Sequence, residues 1–349
     1  GDLRLLVVWN EGWNNSDVFP AGEGGFDAHY ANPHAEISHS LRYELGGQPM
    51  HLRWGGELRV NLLDSTITTD ETATVNVAGF ASHEATLGVV KLTTGARADR
   101  QTFTDVVVSP RVSLVLAPGG GHQLRAAYNT GYNNPNQIQL FSDFETAPGA
   151  RIIGHTDHAP ERIVYGEVGY SGLLAQSLRL FVNTFTYRMK DTIALNSAEV
   201  LQTGLSFYEN NSAVDAYGFE AGAELSISTA FKAYAHYAHV RLTAKDDYPY
   251  VANNLGSPQD KLSAGVQYDH SSGIFLTSDF QYVGETEVDR VPALPGSGSP
   301  FELTRLGSYA MLHARLGFVP VEGTEAAIAV MNALGDTTRH FPGGESPGP

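Results

Sequence analysis

The sequence has no cysteine, no long hydrophobic run and few basic residues. Without cysteine, the chain has no disulfide bonds, thiolate metal sites or cysteine nucleophile. No run of about eighteen consecutive apolar residues occurs, which excludes a hydrophobic transmembrane helix. The 22 Lys and Arg residues are scattered and outnumbered by 38 Asp and Glu, giving a formal net charge of −16. Because binding to phosphates requires clustered Lys and Arg, this composition argues against nucleic acid as a partner.

Sequence signatures of enzymes are also missing. No H-E-x-x-H, G-x-S-x-G or phosphate-loop motif occurs in the chain. Glu220 and Glu224 share one face of a predicted strand and could form an acid–base pair, but a polar lumen is the better interpretation. There we expect them to pair with one of four arginines: Arg53, Arg59, Arg179 or Arg315. The sequence therefore predicts a protein with no enzymatic activity and no cofactor.

What the sequence does contain is alternation of apolar and polar residues. In Leu52–Leu62 the even positions are Leu, Trp, Gly, Leu, Val and Leu, whereas the odd positions are Arg, Gly, Glu, Arg and Asn. Tyr217–Ile227 shows the same pattern, with its apolar side chains at the odd positions. Successive side chains of a strand point to opposite faces, so each segment has one apolar and one polar face. In nine such segments the apolar parity carries no Asp, Glu, Lys or Arg.

The predicted connections between strands alternate in length. Short connections such as Ala117–Gly121 and Ser271–Ser272 separate long ones. The long connections are Asn133–Pro160, Asp191–Ala213, Ala244–Pro258 and Glu285–Gly307. Outer-membrane barrels show this succession, because their short turns are periplasmic and their long loops are outside. About 15 strands are predicted, and several have the length of about 9–11 residues that a tilted membrane strand needs. The sequence therefore predicts an all-β antiparallel transmembrane β-barrel.

Five short passages resemble motifs of TonB-dependent receptor barrels, in the order in which that family has them. They resemble G-x-R-x-D with S-P-R-x-S-L, L-R-A-S-Y-x-x-G-F-R-x-P, K-P-E with E-x-G-Y, Y-G-x-E, and V-x-N-L-F-D. The passages are Gly95–Asp99 with Ser109–Leu114, Leu124–Tyr132 with Pro135, Pro160–Glu161 with Glu167–Tyr170, Tyr217–Glu220 and Val330–Asp336. One departure is at the end of the chain, where the family has a further strand with a terminal aromatic residue and this sequence has Gly343–Pro349.

The resemblance implies that residues 1–349 are part of a barrel of about 22 strands, without the plug domain and the last strand. It implies a receptor in the bacterial outer membrane for energy-coupled uptake of a scarce nutrient, such as an iron–siderophore complex, cobalamin or an oligosaccharide. The implied partners are membrane lipid and lipopolysaccharide, the receptor's own plug domain, an inner-membrane energy-coupling protein, and a small-molecule ligand such as a siderophore.

Two groups of residues are candidates for function. The first lies in the predicted outside loops, where Tyr and Asn suit sugars and catecholates through stacking and hydrogen bonds. Its members are Tyr132, Asn133, Asn134, His155, Asp157, His158, Tyr248 and Tyr250. The second group has the polar parity of the predicted strands and is expected to line the lumen: Arg53, Glu57, Arg59, Glu220, Glu224 and Arg315. His155, Asp157 and His158 also carry metal-binding atoms, but a polar loop is the better interpretation and no metal is expected.

Two other functions fit parts of the sequence. A passive porin would have a loop folded inward to narrow its channel. A soluble β-rich carbohydrate-binding or adhesive protein would carry charged residues on both parities of its strands, which these segments do not.

Overall fold

The computed structural model describes residues 1–16, 26–69, 72–147, 149–196, 203–244, 256–290, 302–321 and 323–335. These residues form nineteen strands and one short helix. In chain order the elements are β1 (Asp2–Ser16), β2 (Phe26–Leu45), β3 (Gln48–Ser65), β4 (Thr72–Leu87), β5 (Val90–Gln101), β6 (Val107–Gly119), β7 (His122–Asn133), α1 (Gln137–Phe141), β8 (Asp143–Ala147), β9 (Ala150–Ile153), β10 (Glu161–Leu174), β11 (Leu178–Asn196), β12 (Leu205–Ser226), β13 (Phe231–Ala244), β14 (Asp260–Asp269), β15 (Ile274–Val283), β16 (Thr286–Arg290), β17 (Glu302–Leu306), β18 (Tyr309–Val321) and β19 (Thr324–Val330).

The all-β prediction is confirmed. Fifteen of the strands have seven or more residues, which is the number predicted from the alternation. Seventeen strands belong to one sheet, and β16 and β17 form a hairpin of their own. Within the described ranges, no helix has the length and apolar content needed to cross a membrane.

Contacts divide the chain into two compact units. The first unit comprises residues 1–114, 127–165 and 188–213, and the second comprises residues 115–126, 166–187 and 214–349. Strands β1–β5, α1, β8 and β9 lie in the first unit, and β13–β19 lie in the second.

The first unit contains an antiparallel meander in which β1 to β5 pair in sequence order. A two-residue turn joins β2 to β3 through Gly46 and Gly47, whose φ angles are 59° and 74°. Two successive positive φ angles define a turn whose twist matches that of the flanking strands, and glycine adopts them without steric penalty.

The strand register gives the first unit an apolar face and a charged face. Ala35, Leu58 and Val77 are neighbours on three adjacent strands. Leu58 is 45% exposed and Val77 is 54% exposed, so this apolar face has no protein packed over it. On the opposite face Glu57 lies between Glu36 and Ala78. Large exposed apolar surfaces on a sheet are typical of contact with another apolar phase.

The second unit repeats this division. Strands β12, β13, β14, β15, β18 and β19 pair antiparallel in that order. Tyr268, Leu276 and Leu316 are neighbours on its apolar face. On its charged face, Gln267 and Thr277 precede Arg315 in the same row.

The long connections contain more regular structure than the sequence indicates. The connection 133–160 includes α1, β8 and β9, and the connection 285–307 includes the β16–β17 hairpin. Strands β11 and β12 also extend into 191–213. Elements of four or five residues are too short to show a period, so sequence patterns do not detect them.

Candidate ligand-binding site

A polar cavity of about 740 Å³ lies on the charged face of the first unit. Strands β3 to β5 supply one side of it, and residues 131–137 at the end of β7 supply another. Most of the residues that line it are polar and many carry amides; these polar residues are Asn32, Glu57, Arg59, Asn61, Thr74, Asn76, Arg97, Asp99, Gln101, Ser109, Tyr132, Asn133, Asn134, Asn136 and Gln137.

The charges in the cavity are paired with one another around Glu57. Arg59 Nη2 lies 3.0 Å from Glu57 Oε1, and Arg97 Nη2 lies 2.8 Å from Glu57 Oε2. Arg97 also contacts Asp99 Oδ1 at 2.8 Å. His34 Nε2 approaches Glu57 Oε1 at 3.3 Å. Two guanidinium groups and two carboxylates therefore neutralise each other, and the Glu57 side chain, only 11% exposed, is at the centre.

The amides donate their N–H groups to the cavity wall. Asn61 Nδ2 donates to Thr74 Oγ1 at 3.1 Å, and Gln101 Nε2 donates to the Pro135 carbonyl at 3.1 Å. Asn134 Nδ2 is 3.4 Å from the Asn76 side-chain oxygen. Two amide oxygens, Gln101 Oε1 and Asn134 Oδ1, are buried and have no hydrogen-bond partner among the residues that the structure describes. The Gln101 residue is only 3% exposed.

Helix α1 fixes the rim of the cavity. Its first turn is closed by a capping box, in which Asn136 Oδ1 accepts from Gln139 N and Gln139 Oε1 accepts from Asn136 N, both at 2.9 Å. Next to the cap, Gln137 Nε2 donates to the carbonyls of Asn61 at 3.1 Å and Thr72 at 3.0 Å. The capping box starts the helix where Gln137 reaches the edges of β3 and β4.

The segment after β9 carries the two predicted loop histidines. The rings of His155 and His158 are adjacent, with centroids 4.0 Å apart and ring planes inclined by 36°. His155 Nε2 is 2.8 Å from the Tyr208 carbonyl. The Ala159 N–H donates to Asn210 Oδ1, and Asn210 Nδ2 donates to the Ala159 carbonyl. Burial lowers the pKa of His158, and the charge of His155 lowers it further. Among the described residues, no group of three or more His, Cys, Asp or Glu side chains could hold a metal ion.

Comparison with known proteins shows the family of the chain. The family model described as TonB dependent receptor-like, beta-barrel matches residues 2–333. The chain belongs to this family. TonB-dependent receptor barrels are outer-membrane proteins, so this receptor chain lies in the bacterial outer membrane. That location excludes the soluble alternative. The comparison with curated protein sequences gives no match.

Solved receptor structures share the fold of the receptor chain. The siderophore receptor PirA from Acinetobacter baumannii matches with a TM-score of 0.78 and 14% identity, over 97% of this chain and 57% of that one. A mutant ferric enterobactin receptor PfeA from Pseudomonas aeruginosa, in complex with enterobactin, matches with a TM-score of 0.74 and 17% identity, over 99% of this chain and 55% of that one. The outer membrane transporter YddB from Escherichia coli matches with a TM-score of 0.73 and 12% identity, over 96% of this chain and 57% of that one. The receptor chain thus spans little more than half of each, and the predicted transmembrane β-barrel fold is confirmed.

The structure brings some of the predicted site residues of the receptor together. Tyr132, Asn133 and Asn134 line the cavity with Glu57 and Arg59. The other predicted loop residues are elsewhere: His155, Asp157 and His158 follow β9, and Tyr248 and Tyr250 lie outside the described residues.

The predicted pairing of Glu220 and Glu224 with arginines is wrong for three of the four arginines. Each of these arginines has a carboxylate nearer in the chain: Arg53 contacts Glu36, Arg59 contacts Glu57, and Arg315 contacts Glu325. Glu224 instead lies 3.8 Å from His236, and Glu220 lines a cavity of about 400 Å³ in the second unit. For Arg53 and Arg315 the reason is register, because a neighbouring strand brings a different carboxylate beside each of them. Arg59 and Glu57 instead lie two positions apart on the same face of β3.

Most of the residues that line the cavity were not among the predicted site residues; Asn76, Arg97, Gln101 and Gln137 are examples. Arg97, Asp99 and Gln101 share one parity of β5, so the alternation could have placed them on one face. Nothing in the sequence pattern indicates that Gln137, beyond β7, returns to that face.

Proposed function

We propose that this chain is the greater part of an outer-membrane receptor for energy-coupled uptake of a scarce nutrient, such as an iron–siderophore complex, cobalamin or an oligosaccharide. The observation that carries the proposal is the amide-rich cavity on the charged face, which has the size of small-molecule sites, about 300–1,000 Å³. The family relationship supports the transport role, and the enterobactin-bound relative supports a small-molecule ligand.

The proposal assigns the charged face to the lumen and the apolar face to lipid. Arg53, Glu57 and Arg59 would then line the lumen in the first unit. In the second unit the lumen residues would be Glu220, Glu224 and Arg315. Membrane lipid and lipopolysaccharide would contact the apolar face, and the receptor's plug domain and an inner-membrane energy-coupling protein would complete the transporter. Residues 1–349 would form one partial barrel domain.

No chemistry on the ligand is proposed. The carboxylates of the cavity, Glu57 and Asp99, are both held by arginines at 3.0 Å or less.

One observation favours a passive porin as the second candidate. Helix α1 and β8 pack against residues 66–69, where Thr69 N donates to Phe141 O and Asp143 N donates to Ile67 O, both at 2.9 Å. The connection 133–160 thus folds onto the connection between β3 and β4. A loop that folds inward in this way is the feature expected of a channel constriction.

Uptake by cells distinguishes the two functions. The full-length protein is produced in cells whose growth is limited in turn by iron, cobalamin or a sugar, with and without a protonophore. We expect protein-dependent uptake of one nutrient that the protonophore abolishes, because energy coupling needs the inner-membrane proton gradient. Uptake that the protonophore leaves unchanged would contradict the receptor proposal and support the porin.

A further inference from the structure

We propose that the connections before β10 and after β11 are joined by a latch that is closed at neutral pH and opens in acid. The latch consists of residues 150–159, which include β9, and residues 203–210, which include the start of β12. Both parts belong to the first unit. His155 and His158 release the latch, and the rim of the cavity at α1 depends on it. The inference goes beyond the proposed uptake function and is independent of the nutrient.

A short parallel pairing holds the two parts of the latch together. β9 and β12 pair over three positions, from Arg151 beside Leu205 to Ile153 beside Phe207. Arg151 N also donates to Gly204 O at 2.7 Å. So short a pairing is marginal by itself, so closure depends on the side chains around it.

Asn210 is the side chain that ties the latch to the end of β11. Its Oδ1 accepts from Ala159 N at 2.9 Å, and its Nδ2 donates to the carbonyls of Ala159 at 2.8 Å and Asp191 at 2.6 Å. One amide therefore joins three segments of the first unit.

The latch also supports the rim of the cavity. Gly154 N donates to Ser142 O at 2.7 Å, and His155 N donates to Gln139 O at 3.3 Å. A Cβ at Gly154 would lie 2.7 Å from Gln139 O, so this segment rests directly on the backbone of α1. Because α1 carries Gln137 to the edges of β3 and β4, opening of the latch removes a support of the cavity rim.

Two histidines are packed inside the closed latch. His158 is only 3% exposed, and its ring centroid lies 4.0 Å from that of His155. His155 Nε2 is 2.8 Å from the Tyr208 carbonyl, which can only accept, so this nitrogen carries a proton in the neutral ring. A charge on His158 would be buried, and charges on both rings would repel each other at this distance.

Groups on the neighbouring elements do not compensate for this cost. The Asn210 side chain, the Gln139 backbone and the Asp157 carboxylate favour the charged form of His158, yet burial and then the charge of His155 lower its pKa. The remaining charged side chains of residues 143–161 and 203–210, and at the end of β11, are Asp143, Glu145, Arg151, Glu161, Asp191 and Glu209. Histidine is the side chain whose unperturbed pKa lies between pH 5 and pH 8.

The direction of the pH response follows from the lowered pKa of His158. In the open latch the ring returns to its unperturbed pKa of about 6.5. The closed latch therefore has its full stability above about pH 6.5 and loses stability as the pH falls below that value, because the open form takes up the proton.

Distances between spin labels on the full-length protein in lipid vesicles test the inference. One pair, Glu145→Cys with Lys190→Cys, joins the latch to β11, and a second pair, Ile138→Cys with Lys190→Cys, joins α1 to β11. We expect one distance for each pair at pH 7.5 and an additional, longer one at pH 5, reversible on return to pH 7.5. Unchanged distances in the first pair overturn the latch. A change in the first pair alone overturns its connection to the cavity rim.

Variants assign the response to the two histidines. The combination of His155→Gln and His158→Gln should abolish the change between pH 7.5 and pH 5, whereas His270→Gln, at an exposed histidine of the second unit, should preserve it. A change that persists in the double variant overturns the assignment.

Asn210→Ala provides a test that keeps both histidines. Loss of its hydrogen bonds should raise the ratio of open to closed form at a fixed pH by about three- to tenfold, and so move opening to a higher pH. An unchanged ratio overturns the role of Asn210 in the latch.

The distance measurements use no ligand, so this inference and the proposed function fail separately. If uptake depends on the proton gradient but the distances ignore pH, the receptor function stands and the latch is wrong. If the distances respond to pH with the variant pattern above but uptake ignores the protonophore, the latch stands and the energy-coupled function is wrong.

Discussion

At the scale of single residues, Glu57 organises the charged face of the first unit. Its two carboxylate oxygens contact Arg59 and Arg97 on opposite sides, and His34 approaches as well. The arginines are partly exposed, so solvent screens much of the attraction between these charges. Arg59, Arg97, Glu57 and Asp99 together carry no net formal charge.

The two faces of a strand should respond oppositely to a new charge. Val266 belongs to the apolar face and Gln267 to the charged face of β14. We expect Val266→Arg to lower the free energy of unfolding by about 2–4 kcal/mol if the position is near the bilayer midplane. The matched Gln267→Arg variant should change it by less than about 1 kcal/mol, because its side chain stays among polar groups. Reversible urea unfolding in lipid vesicles measures both values, and equal losses would refute the assignment of the faces.

His158 should make the segment after β9 sensitive to pH. Burial and the neighbouring His155 lower the pKa of His158 from its unperturbed value of about 6.5. When residues 154–160 open by local unfolding, His158 regains its unperturbed pKa and binds a proton more readily than in the folded segment. The free energy of this opening therefore decreases as the pH falls below about 6.5 and is unaffected above it. Hydrogen exchange of the amides of residues 154–160, corrected for intrinsic rates, should accelerate between about pH 7 and pH 5.

Two variants control this experiment. His158→Gln should remove most of the pH dependence of exchange in residues 154–160. His270→Gln changes an exposed histidine in the turn between β14 and β15 and should have no effect on that segment. A pH dependence that persists in the His158→Gln protein would show that another group titrates.

At the scale of elements, helix α1 depends on its cap more than on its length. A helix of five residues makes few internal hydrogen bonds, so the capping box and the anchor at Gln137 determine whether it forms. Asn136→Ala should destabilise α1 by about 1 kcal/mol, whereas Asn136→Asp retains an acceptor for the cap. Hydrogen exchange of residues 137–141 should increase only in the alanine variant. Equal protection in both variants would mean that packing alone holds the helix.

At the scale of the whole molecule, the connection 133–160 should be separable from the strands it joins. Deleting Gln137–Thr156 removes α1, β8 and β9 but leaves β7 and β10 complete. We expect the full-length protein with this deletion to remain heat-resistant in detergent, because the strands removed have only four or five residues and the pairing of β7 with β10 is retained. It should lose ligand binding, since Gln137 and the support of the rim are gone. Ligand uptake at the normal rate would refute the location of the site.

A second deletion controls for the loss of any long connection. Removing residues 286–306 eliminates the β16–β17 hairpin, which belongs to the second unit and whose described residues, 286–290 and 302–306, do not line the cavity. The protein with this deletion should bind ligand with unchanged affinity. Loss of binding in both deletions would indicate that the outer connections act together.

The sequence by itself determined the strands, their two faces and the family. Alternation is a local property, because successive side chains of a strand point to opposite sides whatever the partner strand is. It therefore placed Leu58 and Glu57 on opposite faces and gave the correct number of long strands. Tyr132, Asn133 and Asn134 were selected by residue type and position after a strand, and the structure places all three at one cavity.

Only the tertiary structure decided which residues share a site. The register between strands places Glu36 beside Arg53 and Glu325 beside Arg315, in place of Glu220 and Glu224, and register depends on pairing across the sheet. The return of α1 to β3 and β4 brings Gln137 next to residues more than sixty positions earlier in the chain. The amides of Gln101 and Asn134 donate to Pro135 O and Asn76 Oδ1, which fixes their orientation and leaves Gln101 Oε1 and Asn134 Oδ1 without a partner among the described residues. Contacts between residues so distant in sequence leave no periodic signal, because they arise from the packing of complete elements.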